Sequence, residues 1–260
     1  MIDVEKSDWN GFEQLSFTVD GRACLLVQPR KAVPGRPWIW RTEFFGHEPQ
    51  GDLALLEKGF HAAYMDVQKM YGAPVALDHL DRFYEHLTRV YHLAGKVVLE
   101  GFSRGGLFAF NWAARHPERV AGLYVDAPVC DFKSWPGGKG CGTGSPEDWE
   151  RCKQRYGLTE AQALAYRFNP VDNLAPLARA GIPILSICGA ADQVVPMAEN
   201  TTVVKERYEK LGGSIQVIAK PGCDHHPHSL VNPAPIVEFT LKAVRDRCAA
   251  RCVPRRRRRA

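Results

Sequence analysis

Ser103, Asp192 and His225 are the residues of this 260-residue sequence whose types, order and settings suit one chemistry. Ser103 lies in Gly101-Phe102-Ser103-Arg104-Gly105, a G-x-S-x-G pentapeptide. An apolar run, Lys96-Val97-Val98-Leu99-Glu100, precedes it, and Gly106 to His116 reads as a helix stopped by Pro117. A strand-turn-helix of this kind pushes a serine hydroxyl out on a sharp turn. Glycines on either side remove side chains that would clash there. The hydroxyl is a weak nucleophile until a base takes its proton, and an imidazole oriented by a carboxylate is that base. The next amide, that of Arg104, opens a helix, where N–H groups face a developing oxyanion.

The other two residues stand in turns after apolar strand-like runs. Asp192 follows Ile182-Pro183-Ile184-Leu185-Ser186-Ile187-Cys188 in the turn Gly189 to Pro196. His225 follows Ile215 to Ala219 in the loop Pro221-Gly222-Cys223-Asp224-His225-His226-Pro227-His228. Catalytic groups of open α/β sheets gather at the carboxyl ends of strands, and all three residues are read at such ends. A lone Asp in a turn is often only a cap, and the order Ser, Asp, His is what singles this one out.

The elements that must position them follow from periodicity and breakers. Gln14–Val19 and Arg22–Gln28 read as a hairpin across Asp20-Gly21. Pro37–Trp40, Phe60–Met65, the run before Ser103 and Val120–Val125 are further strands, so the predicted sheet has about eight. Ala76, Leu80, Phe83, Leu87 and Val90 recur at helical spacing within Ala73–Leu93. Strands alternating with helices imply a mostly parallel sheet covered on both faces. The alternation breaks from about 129 to 169, after the sixth predicted strand. There a flexible loop, Ser134 to Gly144, is followed by a helix, Ser145–Tyr156, with Ser145 as cap and Pro146 at its first position. An insertion placed there would lie over the site as a lid. Asp172–Ala180, Glu199–Leu211 and Pro235–Arg247 are read as further helices.

Composition excludes several classes. The chain is 45 % hydrophobic, enough for one sizeable core, and a single domain over 1–252 is expected. No apolar run is long enough to span a bilayer, and Met1 to Lys6 has no signal-peptide pattern. The net charge of +5 is accounted for by Arg255–Arg259, in a basic tail over 253–260, so the body is not a nucleic-acid surface. Of the eight cysteines, Cys24 and Cys188 read as buried hydrophobes. Cys141 with Cys152, and Cys248 with Cys252, are the pairs that could bridge. His225, His226 and His228 beside Cys223 and Asp224 raise the question of a metal. Adjacent histidines in one loop do not easily share an ion, and no second ligand cluster is visible in the sequence. Neither a metal nor another cofactor is expected.

With these residues in place the chain resembles an α/β-hydrolase from about Gln14 to Arg247. More narrowly, Trp38-Ile39-Trp40-Arg41, Gly101 to Gly106, Asp126-Ala127-Pro128-Val129-Cys130, Ser134-Trp135-Pro136-Gly137-Gly138 and His225-His226-Pro227-His228-Ser229-Leu230 are similar to a bacterial subgroup. Its members are associated with polysaccharide breakdown and are described mostly as hydrolases or esterases. The resemblance implies Ser103 as nucleophile, Asp192 as acid and His225 as base. It also implies the Arg104 amide, with one near Arg41 or Thr42, as oxyanion hole, although no His-Gly-Gly-Gly follows the third predicted strand. Ser103 excludes the hydrolase-fold dehalogenases, whose nucleophile is a carboxylate. For substrate contacts the candidates are Glu43, Asp126, Trp135 and His226, with a turn cap as the equal alternative for Asp126. The expected activity is serine carboxylesterase chemistry on a small acyl group of a carbohydrate or other polar ester, in a monomer or homodimer. The alternatives are a peptidase or amidase of the same fold, and a non-catalytic binding protein on that scaffold.

Overall fold

The computed structural model describes residues 4–249. A nine-stranded sheet runs through them: β1 (Glu5–Trp9), β2 (Phe12–Val19), β3 (Arg22–Val27), β4 (Trp38–Arg41), β5 (His61–Met65), β6 (Val97–Phe102), β7 (Val120–Asp126), β8 (Ile184–Gly189) and β9 (Ile215–Lys220). Their order across the sheet is β1-β2-β3-β5-β4-β6-β7-β8-β9. β1, β2 and β3 pair antiparallel, and β3 pairs antiparallel with β5. From β5 to β9 every pairing is parallel. Strands β4 to β8 are buried along their whole length, as a sheet covered on both faces requires.

The helices are α1 (Gln50–Glu57), α2 (Pro74–Val90), α3 (Gly105–Arg115), α4 (Pro146–Tyr156), α5 (Glu160–Ala165), α6 (Ala175–Arg179), α7 (Thr201–Lys210) and α8 (Ala234–Ala249). α2, α3, α6 and α7 bury their apolar residues on one face of the sheet. α1 and α8 cover the other. Trp38, Trp40 and Trp112 are fully buried, with ring centroids 5.5 Å apart for Trp38–Trp40 and 4.9 Å for Trp40–Trp112. They are core, as are most tryptophans at such positions.

Four expectations change. The sheet has nine strands because Glu5–Trp9 pairs with β2. That segment is charged and exposed, so it carries no alternating apolar signal and forms through backbone bonds at an edge. Helices α1 and α5 were not foreseen. α5 is a single short helix set by a capping box between Thr159 and Gln162. The Gly-rich segment expected to be flexible is pinned: Glu199 accepts from Ser134 Oγ at 2.6 Å and from the Cys141 amide, and the Thr143 amide donates to Gln193 O at 3.1 Å. Cys141 and Cys152 do not pair; the first is exposed, the second buried, and both are free thiols. Ser145 does cap α4, accepting from the Asp148 amide. The Cys248–Cys252 pair and the arginine tail lie outside what is described here, Cys248 as to its side chain and the rest altogether.

Residues from about 129 to 169 leave the sheet after β7. Phe132, Trp149, Cys152 and Ala163 pack with Tyr71, Leu107, Val129 and Val195 into a cluster separate from the main core. Tyr71 Oη donates to Asp148, which ties this layer to the loop before α2. A cleft of about 620 Å³ is lined by Gly181, Pro183, Ile184 and Ser214 among others. Those residues stand at the starts of β8 and β9, the opposite end of the sheet from Ser103.

Candidate active site

β6 ends at Phe102, and Ser103 takes a positive φ of 49° before α3 begins. A left-handed backbone on a non-glycine residue is strained and is held by its surroundings. The Ser103 amide donates to Asp126 O at 2.8 Å, and its carbonyl accepts from Val129 at 2.8 Å. The turn also needs close approach. A Cβ on Gly101 would lie 2.9 Å from Gly105 O, and one on Gly106 would lie 2.7 Å from the Pro128 Cβ.

The structure brings Ser103, Asp192 and His225 together. Ser103 Oγ is 2.9 Å from His225 Nε2, and His225 Nδ1 is 2.7 Å from Asp192 Oδ2. With Nδ1–H given to the carboxylate, Nε2 is left to accept the serine proton. The other Asp192 oxygen accepts the amides of Val194 at 2.9 Å and Val195 at 2.8 Å, so the turn after β8 holds the carboxylate still. Asp192 and His225 are buried. Asp224 joins the two loops by accepting the Gln193 amide at 3.1 Å and the His225 amide at 2.8 Å. Those backbone donors hold its carboxyl below the usual range.

The loop after β4 departs from expectation. The Thr42 amide donates to Glu100 O at 2.9 Å, continuing the parallel ladder, so it has no proton left for an oxyanion. Arg41 lies within β4, paired with Glu100 across the ladder. Its guanidinium is buried: it pairs with Asp52, donates to Glu100 Oε1 at 3.2 Å and to His47 O at 3.0 Å, and lies 4.1 Å over the Phe102 ring. Burial holds the Glu100 carboxyl well above its ordinary range, opposed by Arg41. The amides of Arg104, Glu43 and Phe44 take no hydrogen bond among the described residues. The Glu43 nitrogen lies 3.7 Å from where a Cβ of residue 105 would stand, beside the first turn of α3.

Two residues expected at the substrate are spent inside the protein. The Glu43 carboxylate is fully buried and accepts from Arg104 Nε at 2.7 Å. Burial pushes it up to about 7 against the pull of Arg104. Asp126, at the end of β7, is fully buried. It faces His228 Nδ1 at 3.0 Å and accepts the Ser229 amide at 2.8 Å, so it anchors the histidine loop. Trp135 is half-buried, its ring 6.4 Å from that of Tyr71, which in turn lies 6.0 Å from the Arg104 guanidinium. His226 is exposed and packs edge-to-face on His225 at 4.9 Å and on His228 at 4.6 Å.

The sequence reading missed Asp52, Glu100 and His47. A signal existed for Glu100: a carboxylate inside an otherwise apolar strand is buried with a partner or not at all. His47 carried none, because nothing in its own segment marks where the chain returns.

A family model described as alpha/beta hydrolase fold matches residues 71–159, which include Ser103 but neither Asp192 nor His225. No curated protein matches the chain in sequence. Among solved structures, the chain is similar to a candidate lipase (lip1) from Acinetobacter baumannii AYE, at 16 % identity and TM-score 0.59, covering 91 % of this chain and 93 % of that one. It is also similar to Porphyromonas gingivalis dipeptidyl peptidase 4, at 15 % identity and TM-score 0.65, covering 91 % of this chain and 35 % of that one. A puromycin-hydrolyzing peptidase of Mycobacterium tuberculosis matches at 13 % identity and TM-score 0.63, covering 92 % and 37 %. The chain thus spans about a third of the length of these two peptidases. The fold is that of the α/β-hydrolases.

Proposed function

We propose that this chain is a serine hydrolase that cleaves carboxylic esters through an acyl-enzyme. The observation that carries the reading is the unbroken relay from Ser103 Oγ through His225 to Asp192, at 2.9 and 2.7 Å. Ser103 Oγ attacks the ester carbonyl as His225 Nε2 takes its proton. The imidazolium, stabilised by Asp192, returns that proton to the leaving alcohol. Water then enters by the same route in reverse and frees the acid. The tetrahedral oxyanion sits between the amides of Arg104 and Glu43, the second replacing the Arg41 or Thr42 amide expected from sequence.

The substrate is a small acyl ester, acetyl first among them, on a sugar or other polar alcohol. Arg104, Tyr71 and Trp135 form a succession from the nucleophile toward the insertion, and a tryptophan face suits a sugar ring. The insertion over about 129 to 169 is the lid. No helix among the described residues is long and apolar enough to cross a membrane. A second reading, amide or peptide cleavage, is favoured by the peptidases among the structural relatives, though those chains are far longer.

The test is acetate release from acetylated xylan fragments and acetylated monosaccharides, with Ser103→Ala in parallel and fluorophosphonate labelling of both. Release and labelling by the parent alone support the proposal. Release that survives the substitution overturns the serine mechanism. Labelling without release, together with cleavage of aminoacyl amides, transfers the chain to the second reading.

A further inference from the structure

Three histidines from two loops meet beside the candidate active site without a role in the serine relay. His47 comes from the loop after β4, and His226 and His228 from the loop after β9. One ring nitrogen from each lies within 4.8 Å of the other two. His228 is buried and its Nδ1 faces Asp126 Oδ1 at 3.0 Å, which leaves Nε2 for another partner. Asp126 is itself fixed by the Ser229 amide at 2.8 Å and the Tyr124 hydroxyl at 3.4 Å. A histidine oriented through its second nitrogen by a fixed carboxylate is the usual support of a metal-binding imidazole. His226 and His47 are exposed, and the ring nitrogens of His226 take no hydrogen bond among the described residues. A carboxylate stands beside His47. Glu48 Oε2 is shielded from solvent with no hydrogen-bond partner, 3.6 Å from His47 Nε2.

We infer that His47, His226 and His228 form a site for a first-row transition metal ion of the zinc type, with Glu48 or water as fourth ligand. Imidazole donors suit zinc, copper and nickel, whereas magnesium and calcium select oxygen. Zinc–nitrogen bonds of about 2.0–2.1 Å set tetrahedral donors about 3.3 Å apart. From 4.8 Å the rings close by rotation of His47 and His226, which solvent leaves free to turn, onto the fixed His228. The ion joins the loop that follows β4 to the loop that carries His225, so it clamps two walls of the site. It takes no part in acyl transfer, and the inference does not depend on the ester reading.

The untagged full chain, freed of metal, is titrated with Co²⁺ and with Zn²⁺, by visible absorption and by calorimetry. The expected result is one ion per chain, ligand-field bands of nitrogen-ligated cobalt without a thiolate charge-transfer band, and displacement of cobalt by zinc. His47→Ala and His226→Ala each weaken zinc binding by more than the about 10–100-fold that changes outside the ligand set cost. Zinc raises the Tm of the parent and of neither variant. Circular dichroism confirms that both variants fold, and His226→Asn serves if one does not. Cys223 is the control, since its Sγ lies 3.5 Å from His226 O. Cys223→Ser binds zinc as the parent does. Absence of saturable binding by the parent, binding unchanged in both histidine variants, or binding lost in Cys223→Ser overturns the inference.

Discussion

The loop after β4 and the loop after β9 face each other across Ser103, and they are held in place by different physics. The histidine loop is fastened by carboxylates that accept backbone amides. Asp126 takes the Ser229 amide, Asp224 takes those of Gln193 and His225, and Lys220 Nζ donates to Ser229 O at 3.2 Å. The other loop is fastened by buried charges. Arg41 joins Asp52, Glu100 and His47 O, and Arg104 holds Glu43. Asp126 and Asp224 each accept more than one donor, so a substitution that keeps an acceptor oxygen leaves the loop tied. A buried ion pair that loses one member leaves an uncompensated charge in a medium that cannot solvate it. The loop carrying His225 is therefore the more tolerant, and the loop proposed to bind the oxyanion is brittle.

The largest effect tests the relay rather than either loop. Ser103→Ala or His225→Ala lowers the ester hydrolysis rate by about 10⁵–10⁶-fold, and Asp192→Asn by about 10⁴-fold, in steady-state assays. Both loops remain folded, so Tm changes little. Arg41→Met breaks the brittle side and costs about 3–5 kcal/mol in urea unfolding, because Asp52 and Glu100 are left buried without a cation. Substituting Asp52 and Glu100 by apolar residues in the same chain recovers much of that loss. If Arg41→Met is mild, the contrast between the loops fails.

Glu43 gives that contrast a pH signature. Its carboxyl is pushed from 4.5 to about 7 in the folded protein. The native state therefore binds the proton more tightly than the unfolded chain, and this group's contribution to stability declines as pH rises from 4.5 to about 7, then levels off. Glu43→Gln flattens that part of the profile, a difference of at most about 3 kcal/mol across the window. An unchanged slope in pH-dependent unfolding would remove Glu43 as its source. The smallest expected effect is on the tolerant side. Asp126→Asn keeps one acceptor for the Ser229 amide and costs about 1–3 kcal/mol, measured by the same unfolding. A cost above that of Arg41→Met would reverse the order of the two loops.

How far the site could be read in advance follows the same division. Ser103, Asp192 and His225 each follow an apolar run at a turn, so local pattern places them at strand ends, and chain order supplies their relation. Glu43 and Asp126 were read as polar groups of the substrate pocket, Asp126 with a turn cap as its alternative. The structure buries both against partners far along the chain, Arg104 for one and His228 with Ser229 for the other. The edge strand β1 escaped for the opposite reason. Its partner is near, but an exposed pair needs no apolar alternation, and the backbone bonds that make it leave no mark on residue type.

By itself the sequence determined the alternation of strands and helices, the sharp turn at Ser103 with the glycines that permit it, and the order of the three relay residues. These depend on local sterics and on periodic burial, which residue types report directly. Only the tertiary structure decided which amides beside the Ser103 turn are left without a partner, which charges are buried together, and that His47 meets His226 and His228. Those are matters of a few ångströms between segments distant in sequence, set by how the strands order themselves and twist. No residue carries in its own neighbourhood the identity of what the fold will bring beside it.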